Sequence, residues 1–136
     1  MSRKIEDLVP AMQEKAREFA GRMAETGVPF IFTRTLCTPV EQAALYAQGR
    51  TKPGPVVTWT LKSRHLLGEA FDIAICKGKA PTWDAKVDVD DDGVPDYEQA
   101  GEIGESIGLE WGGRFKKANG EARPDFPHFQ LKKEST

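Results

Sequence analysis

Long apolar runs are missing from this 136-residue chain. A membrane-spanning helix needs about 20 consecutive apolar residues, and no stretch approaches that, so no membrane insertion is expected. An excess of one charge is missing too. The 19 basic and 21 acidic residues leave a net charge of −2, so no basic field points to nucleic acid or an anionic membrane. No apolar segment follows Met1-Ser2-Arg3-Lys4-Ile5-Glu6-Asp7. No secretory signal is therefore expected, and the protein should be made and kept in the cytoplasm. Cysteine is scarce: Cys37 and Cys76 are the only two, and neither sits in a CxxC or CxH spacing. That favours reduced, small apolar residues over zinc ligands. No internal repeat or low-complexity segment occurs. What remains is one domain over residues 1–136, large enough to bury its own core and expected as a monomer.

Histidine is as scarce as cysteine, and both histidines stand beside alternating patterns. In Lys62-Ser63-Arg64-His65-Leu66-Leu67-Gly68-Glu69-Ala70-Phe71-Asp72-Ile73-Ala74-Ile75, the second half reads as a strand. Phe71, Ile73 and Ile75 point to one side, and Ala70, Asp72 and Ala74 to the other. The apolar side suits a core. The other presents one carboxylate between two small residues, leaving room for a ligand or ion. Gly68 lets the backbone turn between histidine and strand. In Asp125-Phe126-Pro127-His128-Phe129-Gln130-Leu131, Phe129 and Leu131 face inward and His128 and Gln130 outward. Two such strands can meet at one ion. His65, Asp72 and His128 would then leave a fourth position for water, as catalytic zinc requires.

The remaining segments read as scaffold. Leu8, Met12, Ala16, Phe19, Ala20 and Met23 recur at helical spacing, with Pro10 at the first turn and Gly27 at the end. Pro29 to Thr33 is a short apolar strand delivering Arg34, which by itself reads as a solvated strand-end charge. Thr38-Pro39-Val40-Glu41 is a capping box that starts a second helix ending at Gly49. Arg50 to Val57 is a loop, and Val57-Thr58-Trp59-Thr60 is a candidate extended piece. Cys76 to Pro81 reads as a turn. Tyr97, Ala100, Ile103, Gly104 and Ile107 line a third helix, followed by a strand at Leu109-Glu110-Trp111. Gly112-Gly113 permits a close backbone approach, and Phe115 to Pro124 is a polar loop. The fold class is α+β, helices packed on a small antiparallel sheet.

Asp88-Val89-Asp90-Asp91-Asp92-Gly93-Val94-Pro95-Asp96-Tyr97-Glu98-Gln99 follows the calcium-loop spacing. Carboxylates occupy loop positions 1, 3, 5 and 9 (Asp88, Asp90, Asp92 and Asp96), with glycine at 6. Position 12 is Gln99 where the pattern wants a bidentate glutamate. The plainer alternative is a solvated acidic turn at a helix N-terminus.

Taken together, Ser63-x-His65-x-x-Gly68-x-Ala70-x-Asp72, Trp111-Gly112-Gly113 and Asp125-x-x-His128-Phe129 resemble the zinc D-Ala-D-Ala carboxypeptidases and L-Ala-D-Glu endopeptidases of bacterial cell walls. Arg34-Thr35 and Glu41 to Thr51 fit upstream, so the resemblance covers about residues 28–131. Short single-domain phage endolysins look most similar. The resemblance implies a Hedgehog/D-Ala-D-Ala-peptidase-like fold and makes His65, Asp72 and His128 zinc ligands. It makes Asp125 the general base, with Glu110 a weaker candidate, and Arg34 the residue that steadies the oxyanion. Ser63, Gln42 and Trp111 are the expected substrate contacts; Trp111 by itself reads as either core or a cleft wall, and the resemblance puts it near the zinc. The substrate implied is the peptidoglycan stem peptide. The activity expected is an L-alanyl-D-glutamate endopeptidase acting on a thin, Gram-negative-type wall once another factor releases it. D-Ala-D-Ala carboxypeptidase or dipeptidase activity is the alternative. A non-catalytic metal-binding module is the rival of another class. A Ser-His-Asp hydrolase built on Ser63, His65 and Asp72 fits poorly, because no Gly-x-Ser-x-Gly elbow exists.

Overall fold

The computed structural model describes residues 1–58 and 63–132. Helix α1 (Pro10–Thr26) starts with proline in its first turn and ends at Gly27, whose φ of 76° closes the helix in the left-handed region. Its buried face, Met12, Ala16, Phe19 and Met23, packs on a five-stranded sheet. The strands are β1 (Phe30–Arg34), β2 (Ala70–Lys77), β3 (Ala80–Thr82), β4 (Leu109–Trp111) and β5 (His128–Leu131). All pairings are antiparallel, in the order β1-β2-β5-β4. The short β3 pairs with β2 beyond β5, on the edge away from β1. Helices α2 (Pro39–Ala47) and α3 (Asp96–Ser106) complete the mixed architecture. Among the described residues, no helix is long and apolar enough to cross a membrane.

The alternation read in β2 is observed. Phe71, Ile73 and Ile75 are fully buried. The rings of Phe19, Phe71 and Phe129 meet with centroids 4.9 to 5.3 Å apart. Each such buried side chain stabilises the fold by roughly 1.5–3 kcal/mol. Asp72 lies on the opposite face of the same strand. The capping box of α2 is complete: Thr38 Oγ1 accepts from the Glu41 amide, and the Glu41 carboxylate accepts from the Thr38 amide. Cys37 and Cys76 are free and buried. Cys76 to Pro81, expected as a simple turn, is a hairpin, because Gly78 and Lys79 bring Ala80–Thr82 back along β2. Of the expected extended piece at Val57–Thr60, Trp59 and Thr60 fall outside the described residues.

Helix α3 lies against the sheet through glycines. A Cβ at Gly101 would stand 2.2 Å from the Trp111 ring, and one at Gly104 would stand 2.5 Å from the Phe129 ring. Exchanging a mid-helix glycine for alanine ordinarily stabilises by about 0.5–1 kcal/mol. Gly21 in α1, where a Cβ would meet nothing within 4 Å, is such a site. At Gly101 the buried tryptophan cannot retreat, and overpacking costs about 1–3 kcal/mol. Gly21→Ala should therefore raise the melting temperature and Gly101→Ala should lower it, each measured by calorimetry against the unsubstituted protein.

Candidate metal centre and catalytic cleft

Strand register lays three functional side chains in a row. Arg34 pairs with Asp72 across β1 and β2, and Asp72 pairs with His128 across β2 and β5. The first pairing depends on an irregularity. Phe32 pairs with Ile73, but Arg34 rather than Thr33 pairs with Asp72, so β1 carries one extra residue. A one-residue shift exchanges the faces of a strand, and here it brings Arg34 beside the carboxylate. His65 arrives from a 3-10 turn, Arg64–Leu67. Ser63 Oγ caps that turn by accepting the His65 amide, and Gly68 ends it with φ 68°.

His65 Nε2 lies 3.1 Å and His128 Nδ1 2.9 Å from the same oxygen, Asp72 Oδ1. The outer nitrogen of each ring is already committed. His65 Nδ1–H donates to the Thr35 carbonyl at 2.7 Å, and His128 Nε2–H donates to Gln130 Oε1 at 2.8 Å. Gln130 Nε2 in turn donates to Glu110 Oε2 at 2.8 Å. In the neutral rings the inner nitrogens then present lone pairs toward a carboxylate oxygen. Three electron-rich atoms converge, an arrangement that a cation among them would reconcile. The donor set, two imidazoles and a carboxylate with their outer hydrogen bonds in place, suits zinc. The three residues offer ligand atoms within 4.8 Å of one another. The electrostatics favour an anionic Asp72. Burial opposes ionisation of Asp72, but the two imidazoles outweigh it and hold the carboxyl well below the usual range. Burial likewise lowers the His128 pKa, and the Asp72 carboxylate more than offsets that, so the net shift is upward.

These groups stand at the base of a cleft of about 390 Å³ whose walls include Arg34, Ser63, Phe115, Arg123 and Asp125. Partial desolvation, then the charge of Asp72, raises the Asp125 pKa, while His128, His65 and Arg34 pull the other way. Asp125 is held by its backbone: its amide donates to the Gly112 carbonyl at 2.8 Å, and its carbonyl accepts from the His128 amide at 3.2 Å. Gly112 is required for this approach, since a Cβ there would lie 2.3 Å from the Asp125 carbonyl oxygen.

The family model described as D-alanyl-D-alanine carboxypeptidase matches residues 57–131. CwlK, a peptidoglycan L-alanyl-D-glutamate endopeptidase of Bacillus subtilis (strain 168), is 33% identical over 128 residues, 92% of this chain and 74% of that protein. The chain belongs to this M15 peptidase family. An L-alanyl-D-glutamate peptidase of Listeria phage A118 is 28% identical over 93% of this chain and 39% of its own length. The fold also matches the crystal structure of the Serratia marcescens L-Ala D-Glu endopeptidase ChiX. The TM-score is 0.65 at 24% identity, covering 94% of this chain and 83% of that one.

Within this M15 peptidase the expected substrate contacts separate. Ser63 lines the cleft. Gln42 does not. It is fully buried, accepts from Arg34 Nη2 and donates to Thr58 Oγ1 at 3.3 Å, so it steadies the arginine from behind. Trp111 is 4% exposed and belongs to the core, its indole N–H donating to the Phe126 carbonyl at 2.9 Å. Its bulk is taken up against Gly101 of α3 rather than by the cleft. Glu110, the weaker base candidate, sits behind His128 as the end of the Gln130 chain. Gln130 and Thr35 are supporting residues to which the sequence alone assigns no role. Gln130 is visible there as the outward neighbour of His128, whereas Thr35 acts through its carbonyl and carries no side-chain signal.

If Gln130 fixes the His128 ring, Gln130→Ala should weaken zinc binding by about 10–100-fold. Competition against a chromogenic chelator measures this, and unchanged circular dichroism would show that the fold is kept.

Proposed function

We propose that this M15 peptidase is a zinc-dependent peptidoglycan endopeptidase that cuts stem peptides between L-alanine and D-glutamate. The observation that carries the reading is the convergence of His65 Nε2, His128 Nδ1 and Asp72 Oδ1 at the base of an open cleft. The relatives' activities supply the choice of bond. His65, Asp72 and His128 would hold the zinc, which when bound supplies a Lewis acid for the scissile carbonyl and an activated water.

The chain's own groups divide the remaining work. Asp125, at the cleft wall with a raised pKa, accepts a proton from the attacking water and returns it to the leaving amine. Arg34 Nη1 stands 3.9 Å from Asp72 Oδ2, with its other end anchored by Gln42. It steadies negative charge on the carbonyl oxygen as the bond breaks. Ser63 Oγ accepts the His65 amide, which leaves its own O–H to donate toward the peptide. Arginines at 34, 64 and 123 along the cleft suit an anionic stem peptide. Action as a phage endolysin is part of the same reading.

Mass spectrometry of muropeptides after digestion tests it. Glycan fragments ending in L-alanine, with released peptides starting at D-glutamate, are expected. Free D-alanine would instead mean a carboxypeptidase, and no cleavage by zinc-loaded protein would leave a metal-binding module. Asp125→Ala should keep its zinc and lose about 10²–10⁴-fold in hydrolysis rate. Full activity in that variant would remove Asp125 from the mechanism.

A further inference from the structure

The turn that leads into α3 gathers acidic side chains without a cation from the protein. The ligand atoms of Asp88, Asp90 and Asp96 lie within 4.8 Å of one another. Among the described residues, no lysine or arginine forms an ion pair with any of the three. The loop is tightly wound around Asp88, whose carboxylate accepts the amides of Asp92 at 3.3 Å and Gly93 at 3.0 Å. Asp91 and Gly93 both adopt positive φ.

The decisive group is Asp96. It is 0% exposed, although it belongs to a cluster of like charges. Its Oδ2 accepts from the Val89 amide at 2.6 Å, but Oδ1 is buried with no hydrogen-bond partner among the described residues. A buried carboxylate oxygen without a donor is costly, and two neighbouring carboxylates add to the cost. The N-terminus of α3 offsets only part of it. We infer that Asp88, Asp90 and Asp96 form a second metal site, for calcium, separate from the histidine centre. All three ligands are carboxylates, a hard set that favours calcium over zinc. The crowding is visible at Asp90, whose pKa is pushed up to about 6 by desolvation and then by the carboxylates of Asp88, Asp92 and Asp96.

Two departures from the calcium-loop pattern weaken the site. Asp92, at the fifth position, lies outside the three-carboxylate group and accepts the Val94 amide instead. Gln99, at the twelfth, lines a groove with Arg22 and Glu102. Binding in the range of about 0.1–1 mM follows from so few charged ligands.

Thermal unfolding of the zinc-saturated protein tests the site, because zinc saturation keeps calcium out of the histidine centre. About 10 mM calcium should raise the melting temperature by roughly 5–10 °C, with equimolar magnesium giving much less. Asp90→Asn, at an exposed position, should raise the calcium-free melting temperature by relieving repulsion and should abolish the calcium-dependent rise. Equal responses to calcium and magnesium would overturn the assignment. So would a full calcium response in Asp90→Asn, which would put the ion elsewhere.

Discussion

One carboxylate oxygen, Asp72 Oδ1, meets the inner nitrogens of two histidines whose outer N–H groups are already spent on Thr35 and Gln130. Much of the architecture serves this meeting. Rotating either ring would break a hydrogen bond in a buried setting, where an unpaired donor or acceptor costs about 1–3 kcal/mol. The rings are therefore locked with their basic nitrogens inward before any metal arrives. Such preorganisation removes part of the ordering cost of binding and fixes which atoms can act as ligands.

Strand β2 makes the arrangement possible by being different on its two faces. Its core face stacks Phe71 against Phe129 and Phe19, and that packing fixes the register of β5 on β2. Register on the core face is register on the polar face, because side chains alternate. Burying Phe129 opposite Phe71 therefore sets His128 beside Asp72. On the other edge the same logic would bring Thr33, not Arg34, to the carboxylate. The extra residue in β1 changes that, and Gln42 then holds the guanidinium in place.

The legible parts of the chain were those with local causes. Pro10 and Gly27 bound α1, Thr38 and Glu41 start α2, and the two-residue alternation in Phe71–Ile75 and at His128–Leu131 separates core from polar face. Grouping His65, Asp72 and His128 needed more than alternation. The ordered family resemblance supplied it, since the last two stand 56 positions apart. Features with tertiary causes were not legible. Nothing local in Phe32-Thr33-Arg34 announces an extra residue in the strand. Gln42, expected at the substrate, carries no local sign that Arg34 rests on it. The resemblance set Trp111 among the substrate contacts near the zinc, but the space for its ring comes from Gly101, ten residues earlier on another element.

Helix α3 runs from the acidic turn to the strand that carries Trp111. Its first residue, Asp96, closes the acidic turn, and one face further along carries Gly101 against Trp111 and Gly104 against Phe129. Phe129 is next to His128 in β5, and Trp111 precedes Gly112, on which the Asp125 backbone rests. The helix is thus a rigid spacer between an all-oxygen cluster and a mixed imidazole–carboxylate centre. The ligand chemistry of the two differs enough that one ion would not readily replace the other. The glycine contacts leave no side chain between the α3 backbone and the rings of Trp111 and Phe129.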